Sequence, residues 1–182
     1  MPYPNNACSG EEIPQPCCTT LWDQGVDLLT VVADELAQCI VTSSCCQGGM
    51  RMFMSLGTPQ TWQTDILCVY LQGLVYSSGT FQSSGSFARL PLARAQWVVY
   101  LMESCYPNVT EDGDTPNDDV LHIVNEHAYA HGEAIYRAVV RSVQPGGVFG
   151  ACQDFALGSL APILPIAGSA GWTFNVQMQV AL

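Results

Sequence analysis

The sequence predicts an α+β domain, a mixed and mostly antiparallel sheet packed against two helices. Two long segments repeat apolar residues at helical spacing, and five others read as strands. Their order is helix, three strands, helix, two strands, which is the α+β pattern. The last segment alternates cleanly, so its sheet is expected to have one wet face and one face covered by the helices. With 182 residues, 48% hydrophobic and 12% charged, the chain has apolar material for a core and too little charge for general disorder. We read residues 1–18, rich in Pro, Asn and Cys, as an extended arm, and 19–182 as one domain.

The first helix is expected over Thr20–Ile40. Thr20 is a good N-cap with Asp23 three residues on, a short relative of the capping box. Trp22, Val26, Leu29, Val32 or Ala33, Leu36 and Cys39 or Ile40 form the expected buried stripe. Asp23, Asp27, Asp34 and Glu35 are expected to face away. Gln47-Gly48-Gly49 is a turn, and Met50–Leu56 alternates as a strand. Thr64–Tyr76 is dense in β-formers and predicts a long strand bent at Gly73.

Ser77–Ser86 reads SSGTFQSSGS, a Gly/Ser-rich hairpin tip with one aromatic residue, Phe81. It is longer than a hairpin needs and is expected to engage a partner. Its approach to the next strand, through Pro91, is expected to be irregular. Ala93–Met102 returns as a strand, and Cys105–Pro116 is an acidic loop. The second helix should start with Thr115 as N-cap and Pro116 at the first helical position, and should run to about Ser142. Its expected stripe is Val120 or Leu121, Val124, Ala128, Ile135 and Ala138 or Val139. Arg137 and Arg141 suit the negative end of its dipole, and Gln144-Pro145-Gly146-Gly147 stops it. Gln153–Leu160 and Trp172–Leu182 complete the sheet. In the last strand Trp172, Phe174, Val176, Met178 and Val180 form the core face, and Gln177 and Gln179 lie on the wet face.

The net charge is −11, with five arginines and no lysine. Five scattered cations cannot neutralise a run of phosphates, which excludes tight nucleic-acid binding and anionic-membrane binding. No secretory signal is visible, and the most apolar stretch, Phe155–Ala167, is broken by Gly158, Pro162 and Pro165. A soluble protein is expected. Three readings of the nine cysteines stay open: free thiols, one or two disulfides joining the pairs Cys17-Cys18 and Cys45-Cys46, or a structural zinc.

Catalytic signatures are weak. His127 and His131 are spaced to hold one metal from one helix face, with His122 or Glu126 nearby. The order is Glu-His-x-x-x-His, however, and lacks the base between the ligands of a zinc-protease helix. Ala167-Gly168-Ser169-Ala170-Gly171 lacks the first glycine of a nucleophile elbow and reads as a loop. The acids Glu111, Asp112, Asp114, Asp118 and Asp119 do not have EF-hand spacing. We expect no enzyme activity, no cofactor and no metal. A small metal-dependent enzyme built on His127 and His131 is the alternative from another class.

The element order resembles that of the tail terminator proteins of long-tailed bacteriophages, over about residues 19–182. The pieces that carry the resemblance are CCTTLWDQGVDLLTVVADEL, LARAQWVVYLM and GWTFNVQMQVAL. The resemblance implies a virion protein assembled in the host cytoplasm. It would form a homo-hexameric ring that caps the major tail tube protein and docks to a head–tail connector or stopper protein. DNA would pass through the lumen without specific binding. Another neck or tail component, a connector or a tube subunit, is the alternative within this class. The expected partner interface is Ser78, Thr80, Phe81 and Gln82 on the tip, with Gln177 and Gln179.

Overall fold

The computed structural model describes residues 20–39, 50–59, 65–76, 93–104, 117–150, 155–166 and 168–180. They form α1 (Leu21–Cys39), β1 (Arg51–Ser55), β2 (Ile66–Tyr76), β3 (Ala93–Glu103), α2 (Asp118–Val143), β4 (Phe155–Ile166) and β5 (Ser169–Val180). The strands make one sheet in the order β1-β2-β3-β5-β4. Only β1 and β2 run parallel; the other three pairs are antiparallel. The expected α+β class is the observed one. The arm, the hairpin tip and the acidic loop fall outside the described residues.

Both helices lie on one face of the sheet. Under them sit Leu67 and Val69 of β2, Ala95, Trp97, Val99 and Leu101 of β3, and Phe174, Val176 and Met178 of β5. The alternation read from Trp172 onward therefore points its apolar side into the core, as expected. Burying such side chains stabilises the fold by ~1.5–3 kcal/mol each, so the central β3–β5 pair dominates the core.

The α1 start is a reciprocal cap. The Asp23 amide donates to Thr20 Oγ1 at 3.1 Å, and the Thr20 amide donates to Asp23 Oδ2 at 3.2 Å. The buried stripe, however, is Gln24, Gly25, Leu28, Val32 and Leu36. Trp22 is 67% exposed and Val26 is also on the outside. Val32 and Leu36 lie in the stripe as expected and Leu29 packs beside it, but at the start of the helix the buried side turns to Gln24 and Leu28, where Gly25 meets Trp97. Glu35 does not face away either. It is drawn between the helices by Arg137 Nε at 3.2 Å and by an Arg141 guanidinium nitrogen at 2.9 Å.

The start of α2 also differs from the expected one. Its N-cap is Asn117, whose side-chain oxygen accepts from the Asp119 amide at 3.0 Å, so the helix begins two residues after Pro116. The buried residues of α2 begin only at His131. Val120, expected in the stripe, is exposed, and Leu121, Val124 and Ala128 are only half-buried.

The edge strand β4 extends six residues beyond the expected end at Leu160, through Pro162. Its ladder to β5 is interrupted between Leu157 and Leu160 and between Ile163 and Ile166. An edge strand tolerates this, because a proline without an N–H disturbs only one ladder. The expected loop before Trp172 is reduced to a two-residue connection: Ile166 faces Ser169, and Gly168 takes φ +81. A left-handed residue at that tight turn favours glycine. The bend expected at Gly73 is a bulge that leaves Gln72 without a partner in β3.

Each helix rests on a tryptophan through a glycine. A Cβ on Gly25 would lie 2.9 Å from the Trp97 ring, and one on Gly132 would lie 2.6 Å from the Trp172 ring. Both indoles are also hydrogen-bonded to the helix above: Trp97 Nε1 donates to Gln24 Oε1 at 3.4 Å, and Trp172 Nε1 donates to the Ala128 carbonyl at 2.7 Å. Alanine in place of glycine usually stabilises a helix interior by ~1 kcal/mol. Gly132→Ala should instead destabilise this protein by about 1–3 kcal/mol, the cost of overpacking. Urea unfolding followed by circular dichroism tests this; an unchanged or higher midpoint would mean that the ring moves aside freely.

Candidate functional site

The face of the sheet away from the helices is divided in two. Toward one end, Ile66, Cys68, Tyr70, Val98, Tyr100 and Met102 form a second buried apolar cluster, joined by Phe53 and Ile163. The expected wet face is therefore apolar and buried over β2 and β3. Toward the other end the same face is polar and half-buried. Gln96 of β3 stands opposite Gln177 of β5, and Val98 opposite Asn175. Gln96, Gln177 and Asn175, with Gln72, Gly158 and Ser159, line a shallow groove of about 300 Å³.

Two separate ladder irregularities shape this groove. Gln72 is the extra residue of the β2 bulge, and the Gly158-Ser159 pair faces the single Asn175 across the β4–β5 ladder. Bulges bend a sheet and re-aim side chains. Here both bring their extra residues to opposite rims of the β3–β5 floor. Gly158 is needed for that approach, since a Cβ would sit 2.8 Å from Asn175 Cβ and 3.0 Å from its carbonyl oxygen. The groove is lined by neutral amides, the Ser159 hydroxyl and backbone together with Trp97 and Val176, so it suits a polar, uncharged or weakly charged surface.

Of the expected interface residues, Gln177 lies in this groove. Gln179 lies opposite Arg94 in the β3–β5 register. Ser78, Thr80, Phe81 and Gln82 fall outside the described residues, but Tyr76 and Ala93 are paired, so residues 77–92 connect one hairpin. Gln72, Gln96 and Ser159 were not singled out from sequence. The signal for Gln96 was present, because it alternates with Trp97 as Gln177 does with Val176. Gln72 and Ser159 owe their positions to bulges, which a period-two pattern does not reveal.

His131 is buried, and its Nδ1 meets the Glu103 carboxylate at 2.8 Å. Its imidazole thus ties α2 to the end of β3. Among the described residues, no group of three or more His, Cys, Asp or Glu side chains is arranged to hold a metal. Asp65 is a second buried carboxylate that the sequence did not mark. It accepts from the Ser104 amide at 2.7 Å and the Ser104 hydroxyl at 2.9 Å, and so secures the chain as it leaves β3. Comparison with known protein families finds no model that matches the chain, and comparison with curated proteins finds no match either.

Of the nine cysteines, Cys68 lies within the described strands as a buried free thiol, and the other expected pairings fall outside the described residues. Burial pushes its thiol up to about 11, against a smaller downward pull from a hydrogen bond with Ser55. A raised folded value means that stability linked to this thiol is present below its ordinary value of 9.0 and declines as pH rises toward 11. At pH 8, Cys68 should resist alkylation in the folded protein and react only on unfolding. Mass mapping of labelled peptides checks this; rapid native-state labelling at Cys68 would contradict it.

Proposed function

We propose that this protein is a structural subunit of a phage-type tail, assembling into a six-membered ring of the tail terminator kind. It caps the tail tube, ends tube growth and presents a docking surface to the head–neck connector. The observation that carries this reading is that the two helices leave several large apolar side chains exposed. Trp22, Val120, Ile123, Tyr129 and Tyr136 are all 46% exposed or more. Large apolar side chains left exposed on a small domain suit subunit contacts. The long connection from β2 to β3 supplies a further element for contact with a tube subunit.

The charge also suits a channel for DNA. A subunit of net charge −11 repels phosphates, so a ring of such subunits lets a duplex pass without gripping it. No helix among the described residues is long and apolar enough to cross a membrane. Within an assembled virion the partners are further copies of this chain, the major tail tube protein and a head–tail connector or stopper protein.

Electron microscopy of the purified protein, alone and mixed with the tube protein of the same virus, tests the reading. Six-fold rings, free or at tube ends, are the expected result. Single subunits under both conditions, with tubes of uncontrolled length, would end it.

A further inference from the structure

We propose, resting on the ring reading above, that the two flanks of the helix layer are the two halves of one subunit contact. The α1–β1 flank of one copy packs against the α2–β4 flank of the next. β1 and β4 are the outer strands of the sheet, so these flanks lie at opposite edges. On α1, Glu35 marks the side that faces α2, because it is bonded to Arg137 and Arg141. Trp22, Val26, Leu29 and Ala33 recur at i, i+4, i+7 and i+11 as a second apolar stripe. Trp22 and Val26 lie roughly 140–180° around the helix from Glu35, on the side of β1. Both are exposed, and so is Met52 of β1. Met52 points to the helix side, since Met50 and Met54 pack into the main core and Phe53 joins the far cluster.

The other flank is built in the same way. The buried stripe of α2 separates Arg137 and Arg141 from Tyr129 and Tyr136, which lean over β5 against Trp172 and Phe174. Beyond them is β4. Leu157 shares the side of its partner Val176, and Leu164 alternates with Ile163, which joins the far cluster. Both leucines are therefore on the helix side, and both are exposed, as are the two tyrosines. Each flank thus sets the aromatic groups of one helix above the aliphatic groups of one edge strand, with no further helix beside it among the described residues.

A second copy fits both flanks. No charged side chain interrupts the α1 stripe, and residues 155–166 of β4 have none. Glu133, the acid nearest the tyrosines, is engaged by Arg137 at 3.5 Å. Two chains of net charge −11 can therefore meet here without setting acid against acid. Area agrees with charge. Trp22, Tyr129 and Tyr136 together offer on the order of 400 Å² of exposed surface, about a quarter of the ~1,200–2,000 Å² that a stable interface buries. Tryptophan and tyrosine are also the side chains that most often anchor interfaces. Pro162 and the two ladder interruptions keep β4 from extending a neighbour's sheet, so the contact runs through these side chains. Two different surfaces at opposite edges make a head-to-tail contact, which a closed ring requires.

Sedimentation velocity of the full chain, alone and with the tube protein of the same virus, tests this on Trp22→Glu, on Leu164→Glu and on their equimolar mixture. Both positions are exposed, and an acid at position 22 suits the first turn of α1, so circular dichroism should show an unchanged fold. Each variant alone should associate about tenfold or more weakly than the unmodified chain. The mixture should recover dimers and stop there, because the intact α2–β4 flank of Trp22→Glu meets the intact α1–β1 flank of Leu164→Glu and no further contact is possible. Val26→Glu and Tyr129→Glu, one on each flank, repeat the test. Variants that associate like the unmodified chain, with rings still forming, would overturn these flanks and leave the ring reading standing. A mixture as monomeric as its parts would overturn the head-to-tail pairing. Unchanged self-association with binding to the tube protein lost would give the flanks to that partner and overturn the contact between copies. An unmodified chain that stays monomeric under both conditions would overturn both readings.

Discussion

The contact on which the rest of the structure depends is the placement of two helices on two tryptophans of the central strand pair. Trp97 and Trp172 stand on β3 and β5, the strands that join the two halves of the sheet. Each indole needs a flat, close surface above it, and each finds one where a helix presents a glycine. The ring N–H is then satisfied by that helix, which removes the cost of burying an unpaired donor. Helix position is thereby set by side-chain shape at two points rather than by general apolar contact. Tyr129 against Trp172 and Tyr136 against Phe174, both with centroids 6.0 Å apart, continue the same line along α2.

Besides the indole hydrogen bonds, several polar contacts tie elements together near their ends. Glu35 holds α1 to α2, His131 and Glu103 hold α2 to β3, and Asp65 holds the end of β3 to the start of β2. Among the described residues, the remaining charge lies mostly on the helices. The far face of the sheet keeps amides, hydroxyls and an apolar cluster. Among the described residues the layered fold is in this way electrostatically two-sided.

Much of this could be read from the sequence, and the failures have definite causes. Periodicity locates both helices and β1, β3 and β5, a density of β-formers locates β2, and alternation assigns the core face of Trp172, Phe174, Val176 and Met178 correctly. In α1 helical spacing places Val32 and Leu36 correctly, whereas at the start of the helix the small residue Gly25 marks the contact and the large Trp22 lies outside. The α2 cap was placed at Thr115 because Thr-Pro followed by two acids is a familiar start, but Asn117 offers its side-chain oxygen directly to Asp119. The continuation of β4 past Leu160 is not legible, because a proline such as Pro162 argues against a strand interior, although at a sheet edge it removes only a donor that no second ladder requires. Gln177 was marked from its polar side of a clean alternation. Gln72 and Ser159 were invisible because a bulge shifts the period, and the partners of His131 and Glu35 lie 28 and more than 100 residues away in sequence.

The account stands or falls on the claim that the glycine and the tryptophan act as one unit at each helix. A double-mutant cycle on Gly25→Ala and Trp97→Leu, measured by urea unfolding, tests it most directly. The Met54 methyl also borders Gly25, but it ends a flexible side chain and can move, whereas the indole is fixed by its neighbours. Gly25→Ala should be destabilising with Trp97 present and neutral or stabilising with leucine there, a coupling well beyond the ~0.5 kcal/mol expected of independent sites. An equal penalty for Gly25→Ala in both backgrounds would contradict the claim and return the placement of α1 to unspecific apolar packing.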